Sequence, residues 1–288
     1  MRPRLMRPRL MRPRLVQPSP LAIVTLSAAV AAALAFPASA SAQDWVAQRL
    51  EKSPRHHEWV AIKNGDRTVH TFVVYPQKSE KATAVIVIHE NRGLNDWARS
   101  VADQLAEAGY IALAPDLLSG TAPGGGRTKD FADADKAREA IYALTPAGVM
   151  ADLDAVADHA KALPAGNGKV AVAGFCWGGG QSFRFATHRP DLAAAFVFYG
   201  AFEHTRDELA RIKAPVHGFY GGNDERINAT LPATEAAMKE LGKTFEPVIY
   251  EGAGHGFLRQ GEDPQGSEAD RKAHAAAWER WKKLLAGL

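Results

Sequence analysis

A single cysteine, Cys176, means that no intramolecular disulfide can hold this fold together. Ten histidines are present, but no HExxH or CxxC spacing accompanies them, so no metal site and no cofactor are expected. The glycine run 124–126 lacks the following Lys and Ser or Thr of a phosphate loop, and its strand-to-helix setting. Acidic residues are missing from the first 42 positions, which hold six arginines (2, 4, 7, 9, 12 and 14). Without those six charges the formal net charge of +3 becomes −3. A weakly acidic chain has no cluster of Lys and Arg to displace counterions from phosphates, which argues against nucleic acid as a partner.

The N-terminus has the pattern of a secretory signal. A basic stretch through Arg14 precedes an apolar run over residues 21–36 and the small residues Ala38-Ser39-Ala40-Ser41-Ala42. The apolar run covers 16 residues, short of the ~20 that a membrane-spanning helix needs. The expectation is a signal peptide over 1–42, cleaved after Ala42 with Ala40 as the next choice. An exported protein, periplasmic or secreted, follows, with no membrane association after cleavage. The threefold repeat Met1-Arg-Pro-Arg-Leu has too short a period for a solenoid, and Met6 or Met11 serves equally as a start.

Residues 43–288 suffice for one α/β domain with a sizeable core; 46% of the whole chain is hydrophobic. After a helical lead over 44–52, residues 57–62 and 69–75 read as two strands joined by the turn Asn64-Gly65-Asp66. Residues 84–88, Ala-Val-Ile-Val-Ile, show no polar alternation, as in a strand buried on both faces. Asp96 is placed to cap a helix that Gly109 stops, and a strand follows over 110–114. Residues 119–128 read as a flexible loop, with two helical stretches within 130–163. Further strands are predicted over 169–173, 194–199, 215–220 and 245–250, with helices near 181–187 and 230–241. Ser267 and Asp270 form a capping-box pattern ahead of a closing helix carrying Trp278, Trp281 and Leu285 on one face. Such alternation predicts a mostly parallel central sheet, opened by an antiparallel hairpin and covered by helices on both faces.

The strand at 169–173 runs into Gly174-Phe175-Cys176-Trp177-Gly178-Gly179-Gly180, which is the nucleophile elbow G-x-S-x-G with sulfur in place of oxygen. Glycines flank the nucleophile because a Cβ would clash in so tight a turn, and the following helix N-terminus favours thiolate. A cysteine nucleophile needs a base, and the base an orienting acid. Asp224 follows one predicted strand in Gly221-Gly222-Asn223-Asp224, and His255 follows the last one in Gly254-His255-Gly256-Phe257. Alone, Asp224 reads as a turn residue and His255 as an exposed loop histidine. Together with Cys176 they give the chain order of an α/β-hydrolase triad.

With those residues in hand, the region from about 57 to the C-terminus resembles the dienelactone hydrolase family of small, lidless α/β hydrolases. The likeness is carried by His89-Glu90-Asn91-Arg92-Gly93-Leu94-Asn95, Ala114-Pro115-Asp116-Leu117, the elbow and the His255 motif. The resemblance implies that Glu90 pairs with the resting thiol and takes up its proton. It also implies that Arg259 holds a substrate carboxylate. The family's second carboxylate-binding arginine is replaced here by Leu118-Ser119-Gly120, with Arg127 on the nearby loop as a substitute. The oxyanion hole is expected at the backbone N–H groups of Trp177 and Asn91. Tyr199 is a candidate for the pocket wall, while His89 and Trp97 flank the same loop without an assigned role.

These observations predict a hydrolase of carboxylic esters or lactones, of the carboxymethylenebutenolidase kind, acting as a monomer on a small molecule through a cysteine thioester. The alternative is a non-catalytic binding or carrier protein on the same fold, which would have no use for nucleophile, acid and base together. A thiol redox sensor is disfavoured by the lack of a resolving cysteine.

Overall fold

The computed structural model describes residues 42–288, so all of the predicted signal peptide 1–42 except Ala42 lies outside the described residues. The chain begins with α1 (Ala42–Glu51) and the hairpin β1 (His56–Asn64) and β2 (Arg67–Tyr75), with Gly65 left-handed in its turn. Next come β3 (Ala82–Ile88), α2 (Asp96–Glu107) and β4 (Ile111–Pro115). α3 (Ala134–Ala143) and α4 (Pro146–Ala162) lead into β5 (Gly166–Phe175), α5 (Trp177–His188) and β6 (Ala195–Phe198). The remainder is α6 (Arg206–Ala210), β7 (Val216–Gly221), α7 (Glu225–Asn228), α8 (Leu231–Glu240), β8 (Phe245–Tyr250), α9 (Phe257–Gln260) and α10 (Glu268–Ala286).

The eight strands form one sheet in the order β1-β2-β4-β3-β5-β6-β7-β8. β2 pairs antiparallel with β1 and β4, and every other pairing is parallel. β3 is buried along its whole length, which explains its uniform apolar sequence. Its side chains alternate between two cores. Ala84, Ile86 and Ile88 face the layer containing Leu153 and Val156 of α4, while Val85 and Val87 face the layer of Val101 and Leu105 of α2 and Trp281 of α10. Trp281 is fully buried and packs its ring on Phe175, Phe196 and Phe198.

Three local expectations need correction. α2 is capped by Asn95, whose side chain accepts from the Ala98 N–H, so Asp96 is its first helical residue instead of its cap. The segment 119–128 is pinned, because the buried carboxylate of Asp116 accepts from the N–H (3.0 Å) and hydroxyl (2.6 Å) of Thr128. α5 begins at Trp177, four residues before the predicted start, because its glycines pack against neighbouring backbone despite their poor helix propensity.

The chain leaves β3 towards β4 on one side, and leaves β5 towards β6 on the other. The carboxyl ends of β3 and β5 therefore flank a topological switch point, the crevice where open α/β sheets bind ligands.

Candidate active site

Cys176 follows β5 directly and stands at the N-terminus of α5 with φ 55° and ψ −115°, a strained positive-φ conformation for a non-glycine residue. Two glycines make the turn possible. A Cβ on Gly174 would lie 1.9 Å from the Gly178 carbonyl oxygen, and one on Gly178 would lie 2.4 Å from the carbonyl oxygens of Ile88 and His89. The elbow thus presses against the end of β3, bringing the Trp177 amide beside the loop that holds Asn91. Neither amide donates a hydrogen bond among the described residues. Cys176 itself is half-buried rather than a core filler.

The three predicted triad residues meet. His255 Nε2 is 3.1 Å from Cys176 Sγ, and His255 Nδ1 is 2.5 Å from Asp224 Oδ2. Their loops are tied together, since Asn223 donates its N–H to the Ala253 carbonyl and its side-chain amide to the Gly252 carbonyl. The Gly254 N–H donates to Asp270 Oδ1 at 2.9 Å. Ser267 caps α10 as the capping-box pattern predicted, its side chain accepting from the Asp270 N–H at 3.0 Å, but the Asp270 carboxylate accepts from the Ser267 hydroxyl and the Gly254 N–H instead of from the Ser267 N–H. The ring of fully buried Tyr199 meets His255 edge-on with centroids 5.3 Å apart, so it forms a wall beside the base.

Hydrogen bonding to Cys176, and next to Asp224, pushes the His255 pKa up to about 9 against the opposing effect of burial. The imidazole is therefore protonated at neutral pH, and its N–H groups point at sulfur and carboxylate. Tyr199 is held as a neutral phenol, first by burial and then by the negative charge of Glu90.

Glu90 is buried after β3, but its partner differs from the one the sequence implied. Arg259 Nε donates to Glu90 Oε2 at 2.9 Å, while the thiol faces His255. The reason is geometric: left-handed Gly256 and the short α9 bring Arg259 back over the loop that follows β3. Arg259 is thus engaged by a carboxylate of the protein itself.

His89 carries a role that local sequence did not reveal. It is fully buried, its pKa is lowered by burial, and Nδ1 donates to its neighbour's carbonyl, that of Glu90, at 2.8 Å. That bond fixes the Glu90–Asn91 peptide, whose other end is the Asn91 N–H. The same ring stacks on Trp177 at 5.6 Å and 14°, so the two amides flanking the thiol are braced by one pair of rings.

Beyond the Glu90–Arg259 pair lies a cavity of about 470 Å³, which neither Cys176 nor His255 lines. Among the described residues no group of three or more His, Cys, Asp or Glu is arranged to hold a metal ion.

Comparison with known proteins agrees with this architecture. The sequence model of the dienelactone hydrolase family matches residues 69–288. A protein of Salmonella typhimurium named "Putative carboxymethylenebutenolidase" is 34% identical over 225 residues, covering 73% of this chain and 78% of its own. A solved structure of a dienelactone hydrolase-like promiscuous phosphotriesterase from metagenomic libraries superposes with a TM-score of 0.69 at 25% identity, covering 81% of this chain and 98% of that one. For a dienelactone hydrolase from Anabaena variabilis the TM-score is 0.59 at 21% identity, over 78% and 96% of the two chains, which speaks to fold alone. On the family match and the extent of this identity, the chain belongs to the dienelactone hydrolase family, carboxylic ester hydrolases of the α/β-hydrolase fold.

Proposed function

We propose that this chain hydrolyses ester or lactone bonds through a thioester on Cys176. The relay Cys176–His255–Asp224 carries the reading. With the proton of the Cys176–His255 pair already on His255 Nε2, the sulfur attacks the acyl carbon as thiolate. The carbonyl π pair shifts to oxygen, where the N–H groups of Trp177 and Asn91 receive the negative charge. Collapse of this adduct expels the alkoxide, which takes the proton from His255; in a lactone it stays tethered to the acyl group. Water, deprotonated by His255, then cleaves the thioester, and the thiolate of Cys176 leaves beside the protonated His255, restoring the starting pair. Asp224 holds the imidazole in one orientation and balances its charge. Glu90 acts by orienting Arg259, which meets a substrate carboxylate through its remaining N–H groups, and Tyr199 walls the acyl site. A carrier protein would require none of this relay.

The pH dependence follows from the raised His255 pKa. The charged form is present below about pH 9 and is lost above it. With an ethyl ester, whose alkoxide needs a proton to leave, kcat/KM should fall as pH rises through about 9. A 4-nitrophenyl ester, with a stable leaving anion, should show a much weaker decline. Asp224→Asn removes one of the groups that raise the pKa, so the alkaline limb should move to lower pH. Identical alkaline limbs for both esters and both proteins would reject His255 as the proton donor.

The mature protein is proposed to act outside the cytoplasm, with its N-terminus near Gln43. N-terminal sequencing from the native host should find that end in the exported fraction. A cytoplasmic protein starting at Met1, Met6 or Met11 would refute it.

A further inference from the structure

Glu90 and Asn91 are neighbours on the loop after β3, and their side chains part. Glu90 reaches Arg259 and lines the cavity beyond it, whereas the Asn91 amide donates to the phenol oxygen of Tyr142 on α3 at 3.2 Å. Neither Asn91 nor Tyr142 lines that cavity. The site thus has a second flank, on the side of α3.

Tyr142 is 62% exposed, and the seating of α3 does not depend on it. The helix is held by Ala137 and Ile141, which pack with Leu118 and with Trp177, the residue after the nucleophile. Among the described residues the Tyr142 ring stacks on no other ring and carries no cation. Its hydroxyl is tied to Asn91, so an open aromatic face is anchored at the rim of the site. Such a face attracts a second ring by offset or edge-on stacking, beyond what buried area alone supplies, and a tyrosine gives up little rotamer freedom in doing so. α3 therefore touches both residues whose N–H groups are assigned to the oxyanion hole, Trp177 through Ile141 and Asn91 through Tyr142. An ester whose carbonyl oxygen lies between those two amides has one substituent directed to the cavity and the other towards Tyr142.

We propose that Tyr142 is the platform of a subsite for an aromatic ring of the substrate, on the α3 flank of Cys176 and away from the Glu90–Arg259 pair. The inference rests on the ester-cleaving reading of Cys176, because it places one substituent of the scissile ester. Substrates would be esters with a phenyl-type ring close to the ester group, carried on the acyl part or on the alcohol part.

The test uses the full chain and two matched pairs of esters. Ethyl phenylacetate against ethyl cyclohexylacetate probes the acyl part, and benzyl acetate against cyclohexylmethyl acetate probes the alcohol part. In one pair the ratio of kcat/KM for the aromatic ester to that for its saturated partner should fall roughly fivefold in Tyr142→Leu, which keeps apolar bulk without a ring. The pair that responds identifies the part of the substrate that lies on α3. Tyr142→Phe should hold the wild-type ratio, because it keeps the ring and loses only the tie to Asn91. Ratios unchanged by Tyr142→Leu in both pairs overturn the subsite. If wild type cleaves none of the esters, the ester-cleaving reading fails, and titration with benzyl alcohol, followed by NMR at the Trp177 indole N–H, decides the subsite alone. A shift that Tyr142→Leu abolishes supports it, and no shift, or the same shift in both proteins, rejects it.

Discussion

Replacing Cys176 by alanine should lower kcat for a short-chain aryl ester by roughly ten-thousand-fold or more, since residues that act as one catalytic unit fail together. The fold should survive. Among the described residues the Cys176 side chain makes one hydrogen bond, to His255, and it is only half-buried. Alanine keeps the Cβ and so the same cost at φ 55°. Cys176→Ser should also be poor, because a serine hydroxyl is far harder to ionise than a thiol beside a protonated imidazole. In wild type, rapid quenching should trap an acyl mass increment on Cys176 that hydroxylamine removes. Undiminished turnover in a folded Cys176→Ala protein would eliminate the nucleophile assignment.

The second large effect is on stability. Gly174→Ala would place a methyl 1.9 Å from the Gly178 carbonyl oxygen and 2.4 Å from its carbon, and both are backbone atoms that no rotamer change can move. Relief requires β5 and α5 to separate, which would also break the contact of Gly178 with the end of β3. The expected loss is ~4 kcal/mol or more, at the far end of what single substitutions do, and on the order of 10 °C in Tm for a domain of this size. Gly254→Ala is the control, since its Cβ would meet nothing nearer than Asp270 Oδ1 at 3.8 Å. Equal melting temperatures for the two variants, measured by calorimetry, would show that the elbow is not tightly packed.

Much of this site was legible from local sequence because its chemistry is written in short motifs. The glycines around Cys176 announce the turn, and Asp224 and His255 each follow an apolar run, so chain order and sheet edge could be read together. β8 was predicted over the same residues that form it, Phe245–Tyr250. Long-range side-chain pairing was not legible. Arg259 and Glu90 lie 169 residues apart, and nothing near either one names the other. The segment 119–128 read as flexible because its glycines are visible locally, whereas the buried Asp116 that pins it acts across twelve residues. The short α6, α7 and α9 carry too few residues to show a helical period. His89 looked like a loop neighbour of Glu90 because its importance rests on a ring stack with Trp177, 88 positions away.

One buried carboxylate ties the connection between α1 and β1 to α2. Asp103, fully buried on α2, accepts from Ser53 (2.6 Å) and from Arg55 through two bonds (2.8 and 2.6 Å), and lies 2.8 Å from His57. During synthesis, residues 53–57 leave the ribosome some fifty positions ahead of Asp103 and have no such partner until it emerges. The hairpin edge likewise waits for β4, its neighbour in the sheet. Through that interval the nascent chain carries an unpaired strand edge and unattached apolar side chains. If the chain is exported, as proposed, translocation in an extended state would carry it past this exposed stage before the sheet can close.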